Sequence, residues 1–255
     1  MRCHISIVHK VTGSSRTFMG EEMAGMAAIE DAWRRIRAGQ GNLFLVGGAL
    51  NAARQDLLLN LELDGHLWSR PFVPVWERGG HGGGMVLGSI GAFLVLEARD
   101  HAEARGARTY GTLADLRTGR AGRSTGAVAA ALRDMIGALA DRSDGARGGP
   151  LFVLSGASGA EPALSEEAVA LGAEAASGAL AARCYGTLFG HTLEAHFPAG
   201  IALAALTLDK GRFYPPFGAG GFEAPCDTVP DTVIVTGVGH WRGEAAAAIH
   251  RETRS

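Results

Sequence analysis

One histidine of this chain stands where chemistry could be done. Residues 183–205 read Arg-Cys-Tyr-Gly-Thr-Leu-Phe-Gly-His-Thr-Leu-Glu-Ala-His-Phe-Pro-Ala-Gly-Ile-Ala-Leu-Ala-Ala. The glycines predict a turn that delivers His191 to the mouth of a helix of small residues. An imidazole fixed there could donate or accept a proton. A retained packing and hydrogen-bonding role is an equally common reason for one isolated histidine.

A serine offers a second, remote possibility for catalysis. Ser158 lies in Gly-Ala-Ser-Gly-Ala directly after a predicted strand, which is similar to the nucleophile elbow of serine hydrolases. That elbow needs a helix to begin at once, whereas Glu161 and Pro162 intervene before the helix expected from Ser165. A serine hydrolase is therefore a minor alternative.

A metal site can be considered at the same turn. His191, Glu194 and His196 are three candidate ligands, but offsets of three and five do not share one helix face. Pro198 is expected to disturb the local helix. We predict no metal and interpret these side chains as polar residues at a helix start.

Composition excludes several classes of protein. The 255 residues are 47% hydrophobic and 20% charged with a net charge of −2, which is typical of a globular enzyme-sized chain and argues against nucleic acid as a partner. Three widely spaced cysteines favour neither a disulfide framework nor a metal site. No secretory pattern and no apolar run of about 20 residues is visible, so we expect a cytoplasmic protein without stable membrane insertion.

Strands and helices alternate along the chain. Apolar residues at helical spacing predict a helix over 19–37, a glycine-rich turn is expected over 79–84, and a polar loop over 117–126. Strands are predicted over 5–8, 42–48, 91–97, 110–116, 151–154, 180–184 and 232–236. Further helices are predicted over 98–105, 128–139, 165–176 (with Ser165 as its cap) and 199–208; a linker is predicted over 141–149, and segment 244–251 follows a glycine turn. This order predicts an α/β protein of two successive βα halves, 1–107 and 108–255.

Several segments, in one order, resemble the β-ketoacyl-acyl-carrier-protein synthases. They are the mid-chain stretch 84–97 with 101–110, the Gly-His-Thr-Leu of 190–193, the glycine loop of 236–246, and segments 5–13 and 25–29. The resemblance implies a thiolase-like fold with layered α/β/α/β/α packing, paired as a dimer. Family members carry further elements before the segment that begins here, so we expect an incomplete N-terminal half, from a shortened homologue or a start that lies upstream. Strand edges left open could be covered by a partner chain.

The resemblance also implies where catalytic residues should stand. The family needs a nucleophilic cysteine, two histidines and a lysine. The cysteine position falls on Glu22 (or Glu21 with a one-residue slip), the first histidine position on Gly156 and the lysine position on Gly186, so His191 alone is retained. Acids at 21 and 22 are also ordinary first-turn residues of a helix.

Substrate contacts are expected from two places. His240 and Trp241 stand in the loop where the family has its phenylalanine-glycine gate. Met19, Met23 and Met26 would form a soft surface near the dimer seam, suited to an alkyl or polyene chain, although a methionine stripe at helical spacing is more often core.

The function implied is that of a ketosynthase-like subunit of fatty acid or polyketide biosynthesis, including aryl polyenes. Like a chain-length-factor subunit, it would lack condensing activity, pair with an active ketosynthase (or with itself), receive acyl-carrier protein and shape the acyl tunnel. The alternative is an acyltransferase that decarboxylates or condenses malonyl groups with His191. No cofactor is expected.

Overall fold

The computed structural model describes residues 8, 10, 12–141, 150–176, 178–218 and 222–252. Within these ranges the first long element is helix α1, Glu21–Arg37. A two-stranded antiparallel sheet follows from β1, Leu43–Leu50, and β2, Ile90–Glu97, with Leu43 opposite Glu97 and Leu50 opposite Ile90. The connection between these strands contains helix α2, Gln55–Leu63.

A larger sheet is built from the remaining strands. After helix α3, Arg99–Ala104, come β3, Thr112–Gly119, helix α4, Ala127–Ala140, and β4, Leu151–Ser155. Then follow helix α5, Ala163–Ala176, β5, Leu180–Cys184, the short helix α6, Tyr185–Phe189, helix α7, His196–Lys210, β6, Thr232–Val238, and β7, Glu244–His250. The five strands lie in the order β3-β7-β6-β4-β5. Strands β4, β5 and β6 are parallel, and β7 is antiparallel to both of its neighbours.

Layers of helix and sheet alternate, as predicted. Alternate residues of the large sheet belong to two hydrophobic clusters, because successive side chains of a strand point to opposite faces. Val233 and Val235 pack with α1 and α7, whereas Ile234 packs with α4 and α5. Helices α1 and α7 also contact β1 and β2, so they form a central layer between the two sheets.

The predicted α/β class is confirmed, and several element boundaries are corrected. Strand β3 continues to Gly119, so the loop expected over 117–126 begins later. Helix α5 begins at Ala163, which places Ser165 inside the helix and removes it as the cap. Helix α7 begins at His196 and accommodates Pro198 in its first turn, where a proline lacks no required hydrogen bond.

Other predictions were incomplete or remain open. Helices α2 and α6 were missed, since their short apolar runs lack a clear period. The strand predicted over 5–8 and the linker over 141–149 fall largely outside the described residues. The boundary at residue 107 stays a prediction.

Candidate active site

The first turn of α1 presents an acidic side chain to the centre of the molecule. Gly20 precedes the helix with a φ of 108°, and Glu21 has a φ of 36°, a left-handed conformation that is unusual for a residue with a side chain. This sharp entry directs Glu22 inward, where it is 2% exposed. Glu21 instead lies 3.4 Å from the guanidinium of Arg242 in a partly exposed ion pair.

His191 is brought to Glu22 by a close crossing of two glycine-containing segments. Its backbone N–H donates to the Val86 carbonyl at 2.8 Å, and its carbonyl accepts from the Gly88 N–H at 2.9 Å. A Cβ on Gly88 would lie 1.8 Å from the Phe189 carbonyl oxygen, so only glycine permits this approach. The mid-chain stretch therefore positions the histidine turn.

Two histidines converge on the Glu22 carboxylate. Nε2 of His191 lies 2.7 Å from Oε1, and Nδ1 of His240 lies 2.9 Å from Oε1 and 3.1 Å from Oε2. The backbone N–H of His240 also points to Oε1 at 3.4 Å. His191 and His240 are 1% and 8% exposed, so the three side chains form one buried acid–base network.

The network sets its own protonation states. Burial by itself would raise the pKa of Glu22, but the hydrogen bonds and positive charge of His191 and His240 hold that pKa well below its usual value. Burial would lower the pKa of His240, and the hydrogen bond and charge of Glu22 outweigh it and raise that pKa. The contact therefore stabilises the ionised form of Glu22 and the protonated form of His240.

A second set of rings lies behind His191. The rings of His191 and His196 are 4.2 Å apart, and those of His196 and Tyr185 are 4.5 Å apart. Burial, followed by the charge of His191, holds the pKa of His196 well below its usual value, so this ring is neutral. Nδ1 of His191 and Nε2 of His196 have no hydrogen-bond partner among the described residues. Neither ring nitrogen of His191 is therefore accessible, since Nε2 contacts Glu22 and Nδ1 is buried.

The positions predicted for the lost histidine and lysine are filled by neighbours. A Cβ on Gly156 would lie 2.4 Å from the Tyr185 hydroxyl and 2.6 Å from the Thr236 carbonyl oxygen. A Cβ on Gly186 would lie 2.7 Å from the Ala157 carbonyl oxygen. Neither position has room for a larger side chain unless the backbone moves, because protein interiors are closely packed.

Cys184 and Ser158 do not replace the missing nucleophile. Cys184 is fully buried with its Sγ against the Ala157 carbonyl, and burial together with the nearby Glu167 and Glu223 raises its pKa to about 12. A thiol with such a pKa is a poor nucleophile. Ser158 is buried in a turn, with its Oγ accepting the Ala160 N–H at 3.1 Å, and the following helix begins only at Ala163. The nucleophile-elbow geometry is therefore not formed.

The predicted substrate contacts are spread over different environments. Met26 is buried in the core, Met23 packs against Gly243, and Met19 is 87% exposed. Trp241 is exposed, and its carbonyl accepts a hydrogen bond from Arg123 at 2.9 Å. A role for these methionines and for Trp241 in binding a chain stays a prediction.

One small cavity reaches the network. Its volume is about 190 Å³, and its walls include His240, Arg123 and the polar residues Ser124, Thr125 and Ser165. His240 is thus the member of the network that borders open space, while Glu22 and His191 lie behind it. No group of three histidine, cysteine or acidic side chains in the described ranges is arranged to hold a metal ion.

Sequence reasoning identified Glu22, His191 and His240 separately and missed their contact. Glu22 and His240 lie 218 residues apart, and nothing in either segment signals that they meet. Tyr185 and His196 were also missed as neighbours of the site. The one signal that could have suggested this contact is that Glu22 and His240 both stand at positions where the β-ketoacyl synthases, which the sequence resembles, have other residues.

Comparison with known proteins finds similar chains that are named as ketosynthases. No protein-family model matches the chain. A protein of Streptomyces coelicolor called actinorhodin polyketide putative beta-ketoacyl synthase 2 is 28% identical over 97% of this chain and 64% of that protein. The chain therefore covers less than two thirds of this relative. No helix among the described residues is long and apolar enough to cross a membrane.

Solved structures show the same fold. An oxazolomycin ketosynthase domain from Streptomyces albus superposes with a TM-score of 0.81 at 18% identity, covering 99% of this chain and 49% of that one. The ishigamide ketosynthase/chain length factor superposes with a TM-score of 0.71 at 19% identity, covering 90% of this chain and 59% of that one. These similarities show that the chain has the thiolase-like fold of the β-ketoacyl synthases, which its sequence motifs resemble in their order.

Proposed function

We propose that this chain is a non-condensing ketosynthase-like subunit of an acyl-chain-building system. In this proposal it pairs with an active β-ketoacyl synthase, contributes to the tunnel that holds the growing chain, and works on chains presented by acyl-carrier protein. Polyketide assembly, including aryl polyenes, is the favoured pathway class, and fatty acid synthesis is the other.

The Glu22 network is the observation that carries the proposal. A thioester exchange needs a thiolate that can reach the substrate, and here the corresponding helix start holds a carboxylate fixed by two histidines. An acyl group on this carboxylate would form an anhydride, which would also break the hydrogen bonds that keep Glu22 ionised. The geometry therefore supports a structural role for Glu22, His191 and His240.

Related proteins support the choice of pathway. The Streptomyces coelicolor relative is named for actinorhodin polyketide synthesis, and one solved chain of the same fold belongs to a ketosynthase/chain length factor pair. Another is a type II polyketide ketosynthase in complex with its acyl-carrier protein, with a TM-score of 0.78 at 17% identity, covering 98% of this chain and 66% of that one.

The test co-expresses the chain with an active β-ketoacyl synthase from the same organism. We expect size-exclusion chromatography to show a complex. After incubation with acyl-carrier protein bearing an acyl thioester, intact-mass spectrometry should show acylation of the partner and none of this chain. An acyl adduct on this chain, or failure of the two chains to associate, would contradict the proposal.

The tunnel role has its own test. Met19 is 87% exposed, so Met19→Trp should leave folding unchanged. If the acyl chain passes the dimer seam beside Met19, the variant should alter the length of the products that the complex makes. Leu63→Trp, at the exposed end of α2, is the matched control and should leave product length unchanged. Identical product lengths for both variants and the wild type would argue against the tunnel role.

Malonyl decarboxylation is the second candidate. It is favoured by the presence of two histidines at one site, with His240 on the cavity wall. It is opposed by the engagement of His191 with Glu22. Release of carbon dioxide from malonyl-carrier protein by this chain alone, lost in His191→Gln, would establish the alternative and replace the non-catalytic proposal.

A further inference from the structure

The small cavity beside the Glu22 network is lined by polar groups as well as by His240. Its volume is about 190 Å³, and it lies between the loop before α4, the start of α5 and the loop that carries His240. Exposed hydroxyl side chains on its walls belong to Ser124, Thr125 and Ser165. Since a water molecule occupies about 30 Å³ in the liquid, the cavity has room for water and a small organic group.

His240 is held so that one of its ring nitrogens remains for a ligand. Its Nδ1 lies 2.9 and 3.1 Å from the two carboxylate oxygens of Glu22. Its Nε2 makes no hydrogen bond to any described residue, and this nitrogen is not enclosed as Nδ1 of His191 and Nε2 of His196 are. Glu22 therefore fixes the orientation of the ring and leaves Nε2 for the cavity.

An imidazole held by a carboxylate in this way has the properties of a general base. An ionised carboxylate only accepts hydrogen bonds, so Nδ1 of His240 donates to Glu22, and the neutral ring carries its lone pair on Nε2. Such a nitrogen can remove a proton from water, and the carboxylate stabilises the imidazolium that forms. Burial by itself lowers the pKa of His240, but the hydrogen bond and charge of Glu22 raise it overall, which strengthens the base.

Donors for negative charge lie on the same cavity. Arg123 holds the His240 loop, since its Nε donates to the Trp241 carbonyl at 2.9 Å and its Nη2 to the Gly239 carbonyl at 3.1 Å. Its Nη1 makes no hydrogen bond to a described residue and lies 4.0 Å from Oε2 of Glu244. The guanidinium and the three hydroxyls line one cavity, where they can stabilise the oxyanion that forms when a carbonyl is attacked.

Two carboxylates on the wall determine which charge a ligand can carry. Glu166 accepts the N–H groups of Gly126 and Ala129 at 2.7 and 2.9 Å, and Glu161 accepts the N–H of Ser165 at 3.1 Å. Both side chains border the cavity, so a ligand with its own carboxylate would be repelled. The cavity therefore favours an uncharged acyl group over a malonyl group.

We propose that this chain hydrolyses short, uncharged acyl thioesters in this cavity, with His240 as the general base and Glu22 as its positioning residue. Nε2 of His240 accepts a proton from water while the water oxygen bonds to the acyl carbonyl carbon. The carbon–sulfur bond then breaks, and the imidazolium returns its proton to the leaving thiolate. The products are a carboxylic acid and a thiol, with no redox change and no acyl group on the chain. The choice of a thioester rests on the proposed function, in which the chain works on acyl-carrier protein.

The experiment uses the isolated chain with S-acetyl-N-acetylcysteamine, and proton NMR follows the release of acetate. We expect hydrolysis whose kcat/KM falls by roughly a hundredfold in His240→Gln, because the general base is lost. Ser165→Trp fills the cavity from an exposed position on α5 and should remove most of the activity. This second variant tests the cavity even if His240→Gln does not fold.

The pH dependence separates catalysis by His240 from a structural role. The charged and titratable groups around this ring are Glu22, Glu21, Arg123 and His66 (ring centroids 4.9 Å apart), with Glu161 and Glu166 on the cavity wall. Only the neutral ring accepts a proton, so kcat/KM should rise with pH through an apparent pKa above 6.5. In Glu22→Gln this apparent pKa should fall, because the hydrogen bond and charge that raise it are removed.

Two matched variants serve as controls. His101 contacts Glu97 in a second carboxylate–imidazole pair, which is solvent-exposed and outside the cavity, so His101→Gln should hydrolyse like the wild type. Val169→Trp places the same indole one turn further along α5, at a position that is 56% exposed, and should also leave kcat/KM unchanged.

Four results would overturn the proposal. They are no acetate release above the rate in buffer, an unchanged kcat/KM in His240→Gln, an unchanged kcat/KM in Ser165→Trp, and an acyl adduct on the chain. An equal rate with S-malonyl-N-acetylcysteamine would contradict the selection of uncharged acyl groups. Because the isolated chain is assayed, failure to associate with a ketosynthase would refute the proposed function and leave the hydrolysis result unaffected.

Discussion

Glu22 is the residue on which the candidate site depends. A buried carboxylate is unfavourable unless it is ionised against positive partners and fully hydrogen-bonded. His191 and His240 both lie within hydrogen-bond distance of this carboxylate, and Glu22 in turn raises the pKa of His240 beside the small cavity. The three side chains therefore stabilise one another, and removing one leaves the others inadequately paired.

Glu22→Gln should lower the free energy of unfolding by about 3 kcal/mol near pH 6, because it removes the buried carboxylate to which both histidines are hydrogen-bonded. The Glu22 contribution exists above its unfolded pKa of 4.5 and is lost as pH falls through the lower folded pKa. The His240 contribution exists below its unfolded pKa of 6.5 and is lost as pH rises through its higher folded pKa. The difference in the free energy of unfolding between wild type and Glu22→Gln should therefore become smaller at both low and high pH. Urea unfolding at a series of pH values measures it.

Glu21→Gln is the control for that experiment, since Glu21 forms a partly exposed ion pair with Arg242 and its charge acts on His240 less than that of Glu22 does. It should change stability by no more than about 1 kcal/mol, with little dependence on pH. Equal effects of the two variants would show that the Glu22 network is not the buried charge cluster described above.

Gly156→Ala should destabilise the protein by about 3 kcal/mol, because the added Cβ overlaps the Tyr185 hydroxyl and the Thr236 carbonyl. Gly137→Ala, in the middle of α4 with no neighbouring atom within 4 Å, should instead stabilise by up to about 1 kcal/mol. Thermal unfolding of both variants checks the prediction. An unchanged melting temperature for Gly156→Ala would mean that this position has room for a side chain, contrary to the contacts described above.

At the scale of elements, the central helices α1 and α7 hold the site together. Their contact depends on Gly25, whose missing side chain lets α1 approach the backbone at Glu194. This approach brings the start of α1, with Glu22, next to the turn that carries His191. The site is therefore a product of helix packing as much as of its polar residues.

Gly25→Ala should separate these elements, because its Cβ would lie 2.1 Å from the Glu194 carbonyl oxygen. We expect a loss of about 3 kcal/mol in stability and a shift of the His191 ring resonances in NMR spectra. Arg34→Ala in the same helix removes an exposed ion pair with Glu30 and should cost less than about 0.5 kcal/mol. Unchanged His191 resonances in Gly25→Ala would contradict this account of the packing.

At the scale of the whole molecule, the small sheet differs from the large one in its surroundings. The large sheet is covered by helices on both faces, while the outer face of β1 and β2 exposes Leu43, Leu45, Phe93 and Val95. Contiguous exposed apolar residues of this kind mark interaction surfaces. Within the described residues, the small sheet thus presents an apolar surface that the large sheet lacks.

The double variant Leu45→Lys and Val95→Lys should lower binding of a hydrophobic dye and reduce self-association of the isolated chain, because it places charges on that face. Its stability should change by about 1 kcal/mol or less, since both side chains are exposed. Dye fluorescence and light scattering measure the effect. Val169→Lys is the control, and an equal reduction in that variant would show that the face has no special role.

The sequence determined the α/β class, most of the helices and strands and the resemblance to β-ketoacyl synthases, because apolar periodicity and glycine spacing are local properties. It also located Glu22, Gly156, Gly186, His191 and His240 along the chain. Only the tertiary structure decided that Glu22, His191 and His240 form one network and that Tyr185 closes the space beside Gly156. These features depend on contacts between residues far apart in the chain, and such contacts follow from how helices and sheets pack rather than from any local pattern.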